Sequence, residues 1–137
     1  MLLLDAGVWI AAVDPEDPYH TSSRSLVLAS TGPAAALDLT LYEVANVLGS
    51  RKRRPDLAQR ICGAILARCG EHIVRIDAEH AARTVAVIAE HELTSYDAAY
   101  VAAARRHDWT LVSTDGKDLV SRGLALAPDA PGLQPPV

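Results

Sequence analysis

Short apolar runs alternate with stretches of helical periodicity along almost all of this 137-residue chain, and that alternation leaves few folds open. The runs are LLLD at 2–5, AAAL at 34–37, HIVRI at 72–76 and TLVS at 110–113, with GLALA at 123–127 a candidate last strand. Between them, helices are predicted over 7–13, 21–29, 40–49, 77–91 and 94–107, and Pro55 is placed to open another after the basic run RKRR. In that helix Ala58, Ile61, Cys62, Ile65, Leu66 and Cys69 make one stripe. Leu41, Val44, Ala45 and Leu48 are expected to face inward from the 40–49 helix, and Ala81, Ala82, Val85, Ile88 and Ala89 from the 77–91 helix. Strands separated by helices pair in parallel and are covered on both faces. The expectation is an α/β fold with a central, mostly parallel sheet of about four to five short strands between two layers of helices. Half the residues are apolar, enough for a core without staples. With no repeat and no dividing linker, 1–127 is expected to form a single domain and the Pro-rich 128–137 a loose tail.

Thirteen Lys and Arg against seventeen Asp and Glu give a net charge of −4. This argues against a general coat for nucleic acid but permits a local basic surface beside an acidic site. Asp5 interrupts the opening apolar run and no basic segment precedes it, so neither a signal peptide nor a membrane span is expected, and a cytoplasmic protein is. Cys62 and Cys69 fall on the stripe of a helix and read as core residues rather than a disulfide or metal pair. The five histidines (His20, His72, His80, His91, His107) lack zinc-site spacing; surface or capping roles are expected of them.

In an open parallel sheet, ligands bind along the edge formed by the carboxyl ends of the strands. Asp5 ends the first run and Asp115 the TLVS run, while Glu43 is expected in the first turn of the helix after AAAL, so these three should share that edge. Asp97 follows a helix rather than a strand, and the edge rule does not place it. Taken singly, each acid has an ordinary capping role: TLYE and TSYD both resemble capping boxes with Thr40 or Thr94 as N-cap, Asp5 can cap the first helix, and Asp115 before Gly116 is an ordinary turn former. Taken together, carboxylates brought to about 6 Å repel by ~3 kcal/mol per pair at an effective dielectric near 20, and a divalent cation such as Mg²⁺ offsets that repulsion.

The segments LLLDAGVWIAA, TLYEVANVL and LTSYDAAYVAAARRHDWTLVSTDGKDL, in this order and spacing, resemble PIN domains, specifically the VapC-type toxin ribonucleases of type II toxin–antitoxin pairs. The likeness runs over nearly the whole chain up to the tail. It implies a PIN-like three-layer sandwich and a Mg²⁺- or Mn²⁺-dependent endoribonuclease that hydrolyses RNA phosphodiester bonds with an ion-activated water. The family's four acids fall on Asp5, Glu43, Asp97 and Asp115, which brings Asp97 to the shared edge. The resemblance makes Asp5 and Asp97 the first metal ligands, gives Glu43 to the ion or its waters, and gives Asp115 to a second ion or its waters. Thr114 matches the family's hydroxyl residue before the fourth acid. Asp118 reads either as an outer acid or as the first turn of a short helix. Asn46, one turn after Glu43, is placed to hydrogen-bond it, with an exposed Asn the plain alternative. The implied partners are RNA, a small antitoxin and a second copy of the chain as a homodimer, with no membrane.

Arg51, Lys52, Arg53 and Arg54 follow a helix end, where positive charge complements the helix dipole; contact with RNA phosphates is the functional alternative. Two competing readings remain from other classes. One is a catalytically weak PIN-like binding module whose acidic cleft docks a basic antitoxin peptide. The other, a phospho-acceptor receiver domain, needs a lone Asp after a middle strand and a Lys after a later one, and neither is evident.

Overall fold

Leu2–Leu4 form β1, which is flanked on both sides in a four-stranded, all-parallel sheet. The structure is a computed structural model that describes residues 1–29 and 32–133. β2 is Ala34–Leu37, β3 Ile73–Val74 and β4 Thr110–Val112, in the order β3-β2-β1-β4. Leu2 pairs with Ala34 on one side and Thr110 on the other, and Leu37 pairs with Val74. The chain winds outward from β1 through β2 to β3, then returns to add β4 on the far side of β1. This reversal opens a crevice beyond the carboxyl ends of β1 and β4.

The helices are α1 (Ala6–Ala11), α2 (His20–Arg24), α3 (Asp38–Val44), α4 (Pro55–Cys69), α5 (Ala78–His91) and α6 (Ser95–His107). α2 and α3 each run on into wider, π-type turns, Ser25–Ala29 and Ala45–Arg51, and a third such turn spans Gly116–Val120 after β4. Because side chains alternate along a strand, neighbouring residues enter opposite layers. Leu3, Ala35, Leu37 and Leu111 pack with α6, Val87 and Leu93. Leu4, Ala34, Ala36 and Val112 pack with Val8, Trp9, Val44, Leu48, Ile65 and Cys69 of α1, α3 and its continuation, and α4. The three-layer α/β arrangement is the expected one.

Several local expectations shift. The 123–127 run makes no strand, only a bridge in which Leu126 N–H donates to the Leu111 carbonyl and Ser113 N–H to the Leu126 carbonyl. α3 begins at Asp38, not near Thr40. Leu37 is the N-cap and its N–H donates to Thr40 Oγ1, so Thr40 sits at the third helical position and Glu43 lies beyond the first turn. The inward face of α5 is His80, Thr84 and Val87, while Ala81, Ala82, Val85 and Ala89 are exposed. Two polar side chains occupy that buried face because each has a partner: His80 Nε2 bonds the Ala99 carbonyl at 3.1 Å and Thr84 Oγ1 donates to the His80 carbonyl at 2.8 Å. His80 is therefore a core residue, not the surface or capping histidine expected. On α4 the stripe holds except at Leu66, which is half exposed. Cys62 and Cys69 are free thiols on the packed side, as expected. Of the tail, Pro128 is buried and Leu133 packs partly against the α1–α4 layer, while 134–137, like 30–31 near the expected stop of the second helix, lie outside the described residues.

Candidate metal centre at the sheet crevice

Asp5 leaves β1 directly into α1 as its N-cap, with Oδ1 accepting the Val8 N–H at 3.1 Å. The turn buries it; only 8% of its surface is exposed. Burial pushes its carboxyl up to about 7, against the opposing effect of hydrogen bonds from Ser113 and the Val8 N–H, and the charges of Glu43 and Asp97 raise it further. Ser113, fully buried at the end of β4, also accepts the Asp115 N–H at 3.0 Å. Its hydroxyl thus ties the acid after β1 to the acid after β4.

Asp97 reaches the crevice by a different route. α6 ends just before β4 begins, so its N-terminus lies about 20 Å back along the helix, at the carboxyl edge. Thr94 is the N-cap and accepts the Asp97 N–H at 3.3 Å. Burial raises the Asp97 carboxyl, and the charges of Asp115 and Asp118 add to the effect. Asp115 caps the turn that follows β4, with Oδ1 accepting the Asp118 N–H at 2.9 Å. That turn folds Asp118 back toward the other acids. Asp97, Asp115 and Asp118 each present a carboxylate oxygen within 4.8 Å of the other two. Asp118 lies in the first turn of Gly116–Val120, one of the two readings expected of it, and its carboxylate also meets Asp97 and Asp115, with Arg122 at 3.6 Å.

Glu43 enters from α3. Burial raises its carboxyl, the Tyr100 hydroxyl donates to Oε1 at 2.9 Å and lowers it, and Asp97 raises it again. Tyr100 lies one turn after Asp97 on α6 and is almost wholly buried. Its own proton is held well above the ordinary phenol range, by burial first and then by the negative charges of Glu43 and Asp5. The expected partner, Asn46, is exposed on the rim of a groove beside Glu43, and Tyr100 takes its place as the hydrogen-bond donor. Thr114 packs against Gly7 at the start of α1. Neither Tyr100 nor Ser113 belongs to a capping or strand-end acid motif that points to the crevice. For Tyr100 a signal existed, since a phenol three residues after Asp97 shares its helical face within an otherwise Ala-rich run.

The basic run divides. Lys52 pairs with Asp14 at 2.9 Å and Arg54 with Asp56 at 3.2 Å, whereas Arg51 lines the groove beside Glu43 together with Leu39, Tyr42, Asn46, Val47 and Tyr96. Arg53 is exposed in a left-handed backbone conformation, φ 53°. Arg105 and Arg106 turn away from the crevice to Glu90 and Glu79.

Five carboxylates thus converge where the sheet order reverses, and among the described residues Arg122 is the one cation ion-paired with them. Such a set of hard oxygen donors, mutually repelling and partly desolvated, fits a divalent cation such as Mg²⁺ or Mn²⁺.

Comparison with known proteins agrees with this architecture. Residues 2–123 match the PIN domain family. Ribonuclease VapC3 of Pyrobaculum aerophilum is 30% identical over 118 residues, spanning 83% of this chain and 88% of the relative. Among solved structures, a toxin–antitoxin complex from Klebsiella pneumoniae superimposes with a TM-score of 0.71 at 20% identity, covering 93% of this chain and 98% of that one. The sarcin–ricin-loop-cleaving toxin VapC20 of Mycobacterium tuberculosis gives 0.72 at 16% identity, covering 90% and 95%. The chain belongs to the PIN domain family, among its VapC-type members.

Proposed function

We propose that this protein is a Mg²⁺- or Mn²⁺-dependent endoribonuclease, the toxin of a toxin–antitoxin pair. The observation that carries the reading is the convergence of Asp5, Glu43, Asp97, Asp115 and Asp118 at one crevice, three of them with carboxyls raised chiefly by burial. A group of carboxylates held this close costs stability and persists only if something offsets the repulsion. Asp97, Asp115 and Asp118 would hold the cation, with Asp5 and Glu43 completing its surroundings. When bound, the ion lowers the pKa of an attacking water and neutralises charge growing on the phosphoryl oxygens.

The chain's own residues do the rest. Asp5 and Asp115 are locked by backbone caps and by Ser113, which hold both carboxylates in place at the crevice. Arg51, beside Glu43 and clear of the ion pairs that occupy Lys52 and Arg54, is placed to meet a substrate phosphate, with Arg53 as a second contact. The described residues hold no helix long and apolar enough to cross a membrane.

Two partners follow from the same reading. The acidic crevice suits a basic side chain of an antitoxin, whose docking would block the site; the catalytically weak binding module is this contact without the cleavage. A homodimer is supported by exposed Ile76, Val85 and Tyr96, which with Leu39 and Ile88 line a shallow apolar groove of about 290 Å³. Incubating the purified protein with a defined RNA pool, in Mn²⁺ and then in chelator, decides between nuclease and binding module. Fragments that form only with metal and vanish with Asp97→Asn support the nuclease. Tight binding of an antitoxin peptide without metal-dependent fragments would leave the binding module.

A further inference from the structure

We propose that Tyr100, held by Thr40, is a positioning residue that fixes the Glu43 carboxylate relative to Asp97. The inference rests on the reading of Glu43 as part of the metal surroundings. Thr40 Oγ1 accepts the Leu37 N–H at 3.1 Å, lies 2.7 Å from the Tyr100 hydroxyl, and that hydroxyl is 2.9 Å from Glu43 Oε1. An ionised carboxylate only accepts, so the Tyr100 proton points at Glu43 and the Thr40 proton points at Tyr100. The four groups form a chain of donors running one way, from the last residue of β2 to the crevice, each bond polarising the next.

The start of that chain is buried and anchored in the sheet. Leu37 is fully buried and is paired to Val74 in the sheet. Thr40 is likewise fully buried, and Tyr100 is 2% exposed. A buried phenol requires a partner, but Thr40 alone could supply one. Reaching past Thr40 to a carboxylate gives the arrangement a second consequence: Glu43 on α3 is pinned to α6 one turn from Asp97. With Oε1 occupied by Tyr100, the other oxygen is left for the ion or its waters. Without the phenol, Glu43 is free to adopt rotamers that leave the crevice.

The test is Mn²⁺ binding by calorimetry to the full-length protein, which reads the site apart from cleavage, with thermal unfolding on the same samples. Tyr100→Phe is expected to weaken Mn²⁺ by about 5- to 20-fold. Glu43→Gln should weaken it at least as much, and the Tyr100→Phe/Glu43→Gln double variant should bind like Glu43→Gln alone. Thr40→Val should reproduce part of the loss and Thr40→Ser should restore wild-type affinity. Should Tyr100→Phe fail to fold, the Thr40 pair decides by itself, since equal affinities for Val and Ser would overturn the proposal. Equal affinity of Tyr100→Phe and wild type, with Glu43→Gln impaired, overturns the positioning role alone. So does a Tyr100→Phe effect that persists undiminished in the Glu43→Gln background, because the phenol would then act through general packing. Wild-type affinity in Glu43→Gln removes Glu43 from the metal site, and the positioning role falls with it.

Discussion

A Cβ built on Gly7 would overlap Thr114 Oγ1 and stand 3.3 Å from an Asp5 carboxylate oxygen. The first turn of α1 and the residue preceding Asp115 therefore meet closely only because position 7 lacks a side chain. That close approach lies at the ends of β1 and β4, where the sheet order reverses.

Gly7→Ala should leave the fold intact, because α1 tolerates Ala, while pushing Thr114 and the backbone before Asp115 aside. A misplacement near 1 Å at reacting groups can cost on the order of 100-fold in rate, so a 10- to 100-fold loss of metal-dependent cleavage is expected. Adding Thr114→Ala removes the overlapping oxygen and should recover part of the melting temperature lost in Gly7→Ala. No recovery in the double variant would show that the strain lies elsewhere.

Asp97→Asn preserves shape and removes charge. If Asp97 served only as a helix N-terminal acid, its loss would cost ~0.3–1 kcal/mol and leave cleavage unchanged. As part of the metal site, it should lose cleavage entirely while the metal-free protein melts higher, since one of the repelling carboxylates has gone. Asp115→Asn should behave alike, and Asp5→Asn and Glu43→Gln, which complete the surroundings of the ion, should retain traces. Cleavage rates and melting curves on the same preparations check this; normal Mn²⁺-dependent cleavage by Asp97→Asn would sink the assignment.

The Asp5 carboxyl, raised to about 7 from an ordinary 3.8, links metal-free stability to pH. Between these values the folded chain binds a proton that the unfolded chain releases, so stability falls as pH rises through that window. Metal-free melting temperature should accordingly decline from pH 4 to pH 7, and Asp5→Asn should flatten the decline. Mn²⁺ affinity should move oppositely, strengthening as pH rises and the proton leaves. Parallel melting curves for wild type and Asp5→Asn across the range would exclude Asp5 as the linked group.

Arg51 and Lys52 are neighbours with different commitments, one lining the groove by Glu43 and the other paired with Asp14. Arg51→Ala should weaken binding of single-stranded RNA and reduce the slope of log affinity against log salt by roughly 0.7, the share of one phosphate contact. Lys52→Ala removes an exposed ion pair worth ~0–1 kcal/mol of stability and should leave that slope nearly unchanged. Salt titrations of fluorescent RNA with catalytically silent protein distinguish them, and identical slopes for the two variants would deny Arg51 its role.

The sequence by itself determined the four strands that form, though not that 123–127 stays out of the sheet, together with most helix starts and two acid anchors. These depend on neighbours in the chain: side chains alternating along LLL and TLV, Pro55 opening α4, Asp5 capping α1, Thr94 capping α6. The tertiary structure decided what those elements meet. Asp97 follows a helix, so no strand-end rule could place it; the length of α6 and its junction with β4 carry it to the crevice. Asp118 joins Asp97 and Asp115 because the turn after β4 is wound on the Asp115 side chain, and Tyr100 finds Glu43 across 57 residues of chain. The inward face of α5 escaped periodicity because His80 and Thr84 are polar, yet burial suits them once the Ala99 and His80 carbonyls accept their hydrogen bonds. Capping and alternation are short-range and so can be read along the chain. Partnership between α3, α6 and the turn after β4 arises only when strand order sets those elements side by side.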